Sequence, residues 1–274
     1  MRRPPAVPAT ILVMRLSCTV GASSWSLPTR GRVSMTVTTH TIAVPAHAAG
    51  AIPAFVAEPP SGSGPGILLL QGIFGVNGHI RRRAEQLAAL GYVVVAPELY
   101  WRIGRGIEID EADGDALERG LAYRRQLQLP VAIDDAVTVF EHLRSMPGIF
   151  RRSGVLGFCL GAGIGFGVAT HAGPASAVLY YGSDIPGQLG RAVHVRCPVL
   201  FHWGGDDDYI PEETRERITG AFAQRDDVES YVYPGASHAF DNDRSPVFSR
   251  PEQAAQAWQR TTEFLGRTLP VGHH

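Results

Sequence analysis

From residue 36 onward, apolar positions fall into short blocks with two alternating kinds of spacing. Thr36 to Val44 alternates polar and apolar residues, the period of a strand with one solvated face. Ala54 to Ala57 reads as a second strand. Ile67 to Leu70 and Tyr92 to Ala96 are continuous apolar runs, as expected of strands buried on both faces. Ser153 to Leu156, Ala177 to Tyr181, Pro198 to Trp203 and Val228 to Tyr233 also read as strands. Between these blocks the period changes. Ile80 to Leu90 has helical spacing and stops at Gly91, a helix C-terminal residue. Pro130 opens a helix with Val131, Val137, Phe140 and Leu143 on one face, and Pro211 to Phe222 and Glu252 to Leu265 are further helices. Pro59 to Gly66 is a turn-rich connection and residues 182–197 a Gly/Pro loop. Residues 97–129 are the least regular part, with a faint helix over Asp113 to Arg125. Strands alternating with helices, without an internal repeat, predict an α/β domain: a mostly parallel central sheet with helices on both faces.

Residues 1–34 break the pattern. They hold five arginines and no acidic residue, and the apolar piece Ile11 to Met14 is cut by Arg15, a poor signal-peptide core. The expected organisation is a disordered leader or mis-assigned start at 1–34, one domain over 35–268 and a tail at 269–274. Hydrophobic residues make up 45% of the chain, sufficient for a sizeable core, and the net charge of -1 implies no basic nucleic-acid surface. All 25 basic residues are arginine, which excludes lysine Schiff-base chemistry and a phosphate-loop lysine. Cys18, Cys159 and Cys197 are too few and scattered for a disulfide framework, and no apolar run reaches the length of a membrane span. A cytoplasmic monomer or weak homo-oligomer with no nucleic-acid or membrane partner is expected.

The strand at 153–156 runs into Gly157-Phe158-Cys159-Leu160-Gly161 and then a run of small residues from Ala162 to Thr170. This resembles the G-x-S-x-G nucleophile elbow with cysteine in place of serine. Such a turn strains its central residue, so its neighbours must be small. It also exposes that side chain above a helix N-terminus, which favours a thiolate. The alternative is a buried structural cysteine between two glycines. Ligands of an open α/β sheet sit at the carboxyl ends of its strands. Two further strand ends carry matching residues: Asp206-Asp207-Asp208 and Gly235-Ala236-Ser237-His238. Nucleophile, acid, histidine is the hydrolase order. Cys159 attacks a carbonyl, His238 carries the proton, and an Asp fixes the imidazole tautomer. Asp207 is preferred for that role and Asp208 comes next. The other acids of the turn fit a helix N-cap better than calcium ligands, whose spacing usually alternates. Two backbone donors are needed for an oxyanion: the N–H of Leu160, and one from Gln71 to Asn77, assigned to Ile73. Cys197 and His202 read as structural. His79 and Arg81-Arg82-Arg83 start a helix near the same face; most of the triplet reads as a solvated face, although one Arg could bind an acidic substrate.

Together with Pro97-Glu98-Leu99-Tyr100, His202 through Pro211 and Tyr233 through Phe240, these stretches resemble the dienelactone hydrolase family of the α/β-hydrolase fold. The resemblance covers residues 35–265. It implies a Cys159, Asp207, His238 triad, oxyanion donors at Ile73 and Leu160, and hydrolysis of a lactone or small ester with no cofactor and no metal. Two departures stand out. Gly72 occupies the place of the family's usual Glu, which is thought to help generate the thiolate. The arginines that hold the substrate carboxylate in the family have no evident counterparts near Ala116 to Arg119 or at Asp241 and Asn242. A neutral ester, lactone or thioester is therefore expected over an anionic dienelactone. The rival readings are a non-catalytic or weakly catalytic ligand-binding homologue, which Gly72 favours, and a redox-sensing cysteine protein.

Overall fold

A computed structural model of the chain describes residues 36–46 and 50–272. The segment 1–34, with Cys18, and the last residues of the tail lie outside the described residues. In chain order the first elements are β1 (Thr38–Pro45), β2 (Ala51–Glu58), β3 (Gly64–Leu70), α1 (Gly78–Ala89) and β4 (Val93–Pro97). Then come α2 (Ala116–Gln126), α3 (Leu129–Ser145), β5 (Ile149–Phe158), α4 (Leu160–His171) and β6 (Ala177–Tyr180). A 3-10 helix (Pro186–His194), β7 (Val199–Gly204), α5 (Glu212–Gly220), β8 (Val228–Tyr233) and α6 (Pro251–Thr268) complete the fold.

The described strands form one sheet in the order β1-β2-β4-β3-β5-β6-β7-β8. β2 is antiparallel to both β1 and β4, and every pair from β4 to β8 is parallel. β3, β4, β6 and β7 are buried at every position, because helices cover both faces of the central sheet. α4 is buried from Leu160 to Ala169, which explains its unbroken run of Gly, Ala and apolar residues: no solvated face is needed.

The topology decides where a ligand can sit. The chain runs from β3 to β4 on one side and then crosses to β5 on the other. Leu70 and Gly157 pair at the carboxyl ends of β3 and β5, so the loop after β3 and the turn after β5 open into one crevice.

The faint helix expected within 97–129 is α2, close to the expected bounds. The structure departs from the sequence reading where the Gly/Pro loop before β7 contains the 3-10 helix. In α2 only Ala116 and Gly120 are buried, so the apolar period by which helices are recognised is almost missing there. Its larger side chains Leu117 and Leu121 line a cavity instead of the core.

Candidate active site

The site begins with the turn between β5 and α4. Cys159 has φ 52 and ψ -114, a backbone conformation that is costly for a non-glycine residue. Its N–H donates to the Tyr180 carbonyl at 3.0 Å, which fixes the turn to β6. The flanking glycines are steric necessities. A Cβ at Gly157 would lie 2.2 Å from the Gly161 carbonyl oxygen, and one at Gly161 would lie 2.3 Å from that of Leu70.

The carboxyl ends of β7 and β8 bring the other two predicted side chains to the sulfur. His238 Nε2 lies 3.1 Å from Cys159 Sγ, and His238 Nδ1 lies 2.8 Å from Asp207 Oδ2. The remaining Asp207 oxygen, Oδ1, accepts from the backbone N–H groups of Tyr209 (2.8 Å) and Ile210 (3.1 Å), donors that suit an ionised carboxylate. Asp207 and His238 are buried, whereas Asp206 and Asp208 are exposed. The histidine ring packs between Tyr181 and Tyr209, with centroids 5.0 Å away on each side. Burial alone would lower the His238 pKa. The negative charge of a Cys159 thiolate and the hydrogen bond to Asp207 outweigh it and lift the pKa well above the usual histidine range.

Ile73 and Leu160 both line the cavity that Cys159 enters. Leu160 is the first residue of α4, where backbone N–H groups have no partner within the helix. The Ile73 loop is held from behind: the Tyr100 hydroxyl donates to the Ile73 carbonyl at 3.1 Å, and Leu99 N–H donates to Gln71 Oε1 at 3.2 Å. A Cβ at Gly72 would lie 3.8 Å from the Cys159 Cβ, so position 72 faces the nucleophile and leaves the space beside it open.

The cavity has a volume of about 130 Å³ and largely apolar walls, including Phe74, Leu117, Leu121, Phe158 and Phe248. Three of its polar residues, Glu111, Arg124 and Asn242, were not singled out as binding groups by sequence reasoning. Arg124 lines the wall, but its guanidinium is paired with Asp184. The Arg81-Arg82-Arg83 triplet supplies no cation for an acidic substrate: Arg81 pairs with Glu108 at 3.0 Å, Arg82 with Asp243, and Arg83 with Asp241 at 3.1 Å. His79 is buried at the cavity wall, 3.6 Å from both Asp241 and Asp243. Tyr181, a strained residue at φ 38, donates its hydroxyl to Asp241. A strand end in the sequence gave no sign of either feature.

His202 and Cys197 sit in the core. His202 bonds to Tyr233 and Thr261, and burial, aided by Arg260, lowers its pKa to about 3. Burial pushes the Cys197 thiol up to about 12. Among the described residues no three His, Cys, Asp or Glu side chains converge as a metal site, and no helix is long and apolar enough to cross a membrane.

Residues 52–269 match the family model for the dienelactone hydrolase family. The chain belongs to that family. A carboxymethylenebutenolidase of Pseudomonas sp. (strain P51) is 34% identical over 234 residues, covering 85% of this chain and 98% of the relative. A carboxymethylenebutenolidase of Rhodococcus opacus is 34% identical over 232 residues, covering 81% and 88%. The crystal structure of a putative dienelactone hydrolase from Klebsiella pneumoniae superposes with a TM-score of 0.71 at 27% identity, covering 85% of this chain and 99% of that one. The fold is thus that of the dienelactone hydrolases, an α/β-hydrolase fold, and the chain is a carboxylic ester hydrolase.

Proposed function

We propose that this family member cleaves small esters or lactones that carry no carboxylate, with Cys159 as nucleophile. The observation that carries the reading is the continuous chain of contacts from Cys159 Sγ through His238 to Asp207, ending on two backbone N–H groups. The thiolate attacks the carbonyl carbon, and the N–H groups of Ile73 and Leu160 hold the oxyanion. Collapse of that intermediate breaks the ester C–O bond, and His238 gives its proton to the departing alkoxide. In a lactone the released alcohol stays tethered to the acyl chain. His238, now neutral, takes a proton from water as the water attacks the Cys159 thioester. The thiolate leaves and the acid product is released. Asp207 keeps the imidazole in the tautomer that presents Nε2 to the sulfur. The preference for neutral over anionic substrates is supported by the apolar walls and by Arg124 and Arg81 to Arg83 all being occupied by carboxylates of the chain.

The test is hydrolysis of p-nitrophenyl acetate by the wild type beside Cys159→Ala. Turnover that vanishes with the thiol is the expected result. Equal turnover in both proteins would remove Cys159 from the mechanism. A second reading, a weakly catalytic ligand-binding homologue, is favoured by the open space at Gly72. It predicts no turnover in either protein and saturable binding of small esters in both.

A further inference from the structure

One ionisable side chain in the cavity has no counter-ion in contact. Glu111 lines the same cavity as Cys159 and is half-buried. Its Oε1 accepts from Asn77 Nδ2 and from Asn242 Nδ2 at 2.9 Å. Both amides are buried, and both are oriented by backbone donors: Asn77 Oδ1 accepts from Ile80 N–H at the start of α1, and Asn242 Oδ1 accepts from Arg244 N–H. Each must therefore turn its NH₂ group to the carboxylate. The segment carrying Glu111 is itself pinned to the wall by the Gly75–Glu108 bridge, the Ile109 N–H bond to the Phe74 carbonyl, and Asn77 Nδ2 to the Ile109 carbonyl. The carboxylate is thus held in a built position by neutral donors, which fix its place without cancelling its charge.

The other charged groups of the cavity are balanced. Arg124 has Asp184, His79 faces Asp241 and Asp243, and His238 has Asp207 and the sulfur. Among the described residues no arginine pairs with Glu111, and its second oxygen, Oε2, receives no hydrogen bond. A fixed negative charge among apolar walls is felt more strongly than one in open water.

We propose that Glu111 is a specificity residue: it makes this pocket select esters that carry an ammonium group on the part of the substrate away from the scissile bond, and reject those that carry a carboxylate there. The proposal rests on the ester-hydrolase reading and sharpens its substrate class.

The experiment uses three phenyl acetates with para aminomethyl, ethyl or carboxymethyl groups, of similar size and charged +, 0 and –. For the wild type, kcat/KM should fall in that order, with the ammonium ester preferred over the carboxylate ester by about tenfold or more at low salt and less at high salt. In Glu111→Gln that ratio should fall by about tenfold, whatever happens to the overall rate. A wild type that prefers the carboxylate ester or shows no preference overturns the proposal, and so does a ratio unchanged in Glu111→Gln. A parallel measurement needs no turnover: binding of benzylammonium and phenylacetate to Cys159→Ala, by NMR titration. Tighter binding of the cation supports the role of Glu111, and equal or reversed binding overturns it. If no ester is turned over, the hydrolase reading fails and the binding result still decides the charge preference. If Glu111→Gln does not fold, the order of wild-type rates and the NMR titration decide it.

Discussion

The carboxyl edge of β5, β7 and β8 and the wall formed by residues 98–126 meet in one cavity, yet they are built differently. At the strand ends each polar atom of the reacting chain has a partner supplied by the sheet or a tight turn, within about ten residues of a buried strand. On the wall, placement depends on side chains that meet across long stretches of chain: Glu111 with Asn77 and Asn242, Arg124 with Asp184, and Tyr100 with Ile73. The rigid edge holds the groups suited to bond breaking. The wall, with Leu117 and Leu121 aimed inward, shapes what can enter. A strand-end site can be kept while a wall of this kind changes, which is how one fold serves different substrates.

The sharpest break between the two regions should come from the proton carrier. His238→Gln is expected to lower kcat/KM for p-nitrophenyl acetate by about 10³–10⁴-fold, with Tm close to wild type. Asp207→Asn is expected to cost about 10²-fold or more. It should also move the pH profile. Cys159 and Asp207 raise the His238 pKa, so wild-type activity is expected to fall only at alkaline pH. Without the Asp207 charge the pKa drops, and the alkaline fall should begin at lower pH. A profile that does not move would contradict the Asp207–His238 coupling.

Next comes the frame of the edge itself. In Gly161→Ala the added methyl group would meet the Leu70 and Gln71 carbonyl oxygens at 2.3 and 2.5 Å, both backbone atoms that cannot swing aside. A loss of about 2–3 kcal/mol and a fall in Tm of roughly 5–10 °C are expected in a thermal melt. His202 gives a pH signature of stability. Its folded pKa, about 3, lies below the unfolded value, so the unfolded chain binds the extra proton. Stability is complete above about pH 6.5 and declines by roughly 1 kcal/mol per unit as pH falls toward the folded pKa. In His202→Phe the slope of Tm against pH over that window should flatten. The smallest effect belongs to the wall. Leu117 is 39% exposed, so Leu117→Ala should raise KM a few-fold for an apolar ester and leave Tm within about 1 °C.

The same contrast explains what the sequence could reveal. The strands buried on both faces left continuous apolar runs, so the parallel sheet was legible. The elbow was legible because both glycines demanded by close backbone contacts fall within one pentapeptide around Cys159. Asp207 stood among three acids, and its burial and its bond to His238, neither visible in the sequence, separate it from Asp206 and Asp208. α2 was faint because its larger apolar side chains face a cavity. Glu111 and Asn242 meet across 131 positions, and no local pattern reports such a pairing. The partners of the arginine triplet were hidden for the same reason: Glu108, Asp241 and Asp243 lie far away in the chain.

The central claim is that the acyl group passes through Cys159. The most direct measurement is acid-quenched peptide mass spectrometry during turnover of p-nitrophenyl acetate. An acetyl group on the peptide containing Cys159, appearing at the rate of the first p-nitrophenol release and absent in Cys159→Ala digested alike, is the predicted result. Turnover at the full rate with that peptide unmodified, and the same rate retained in Cys159→Ala, would contradict it.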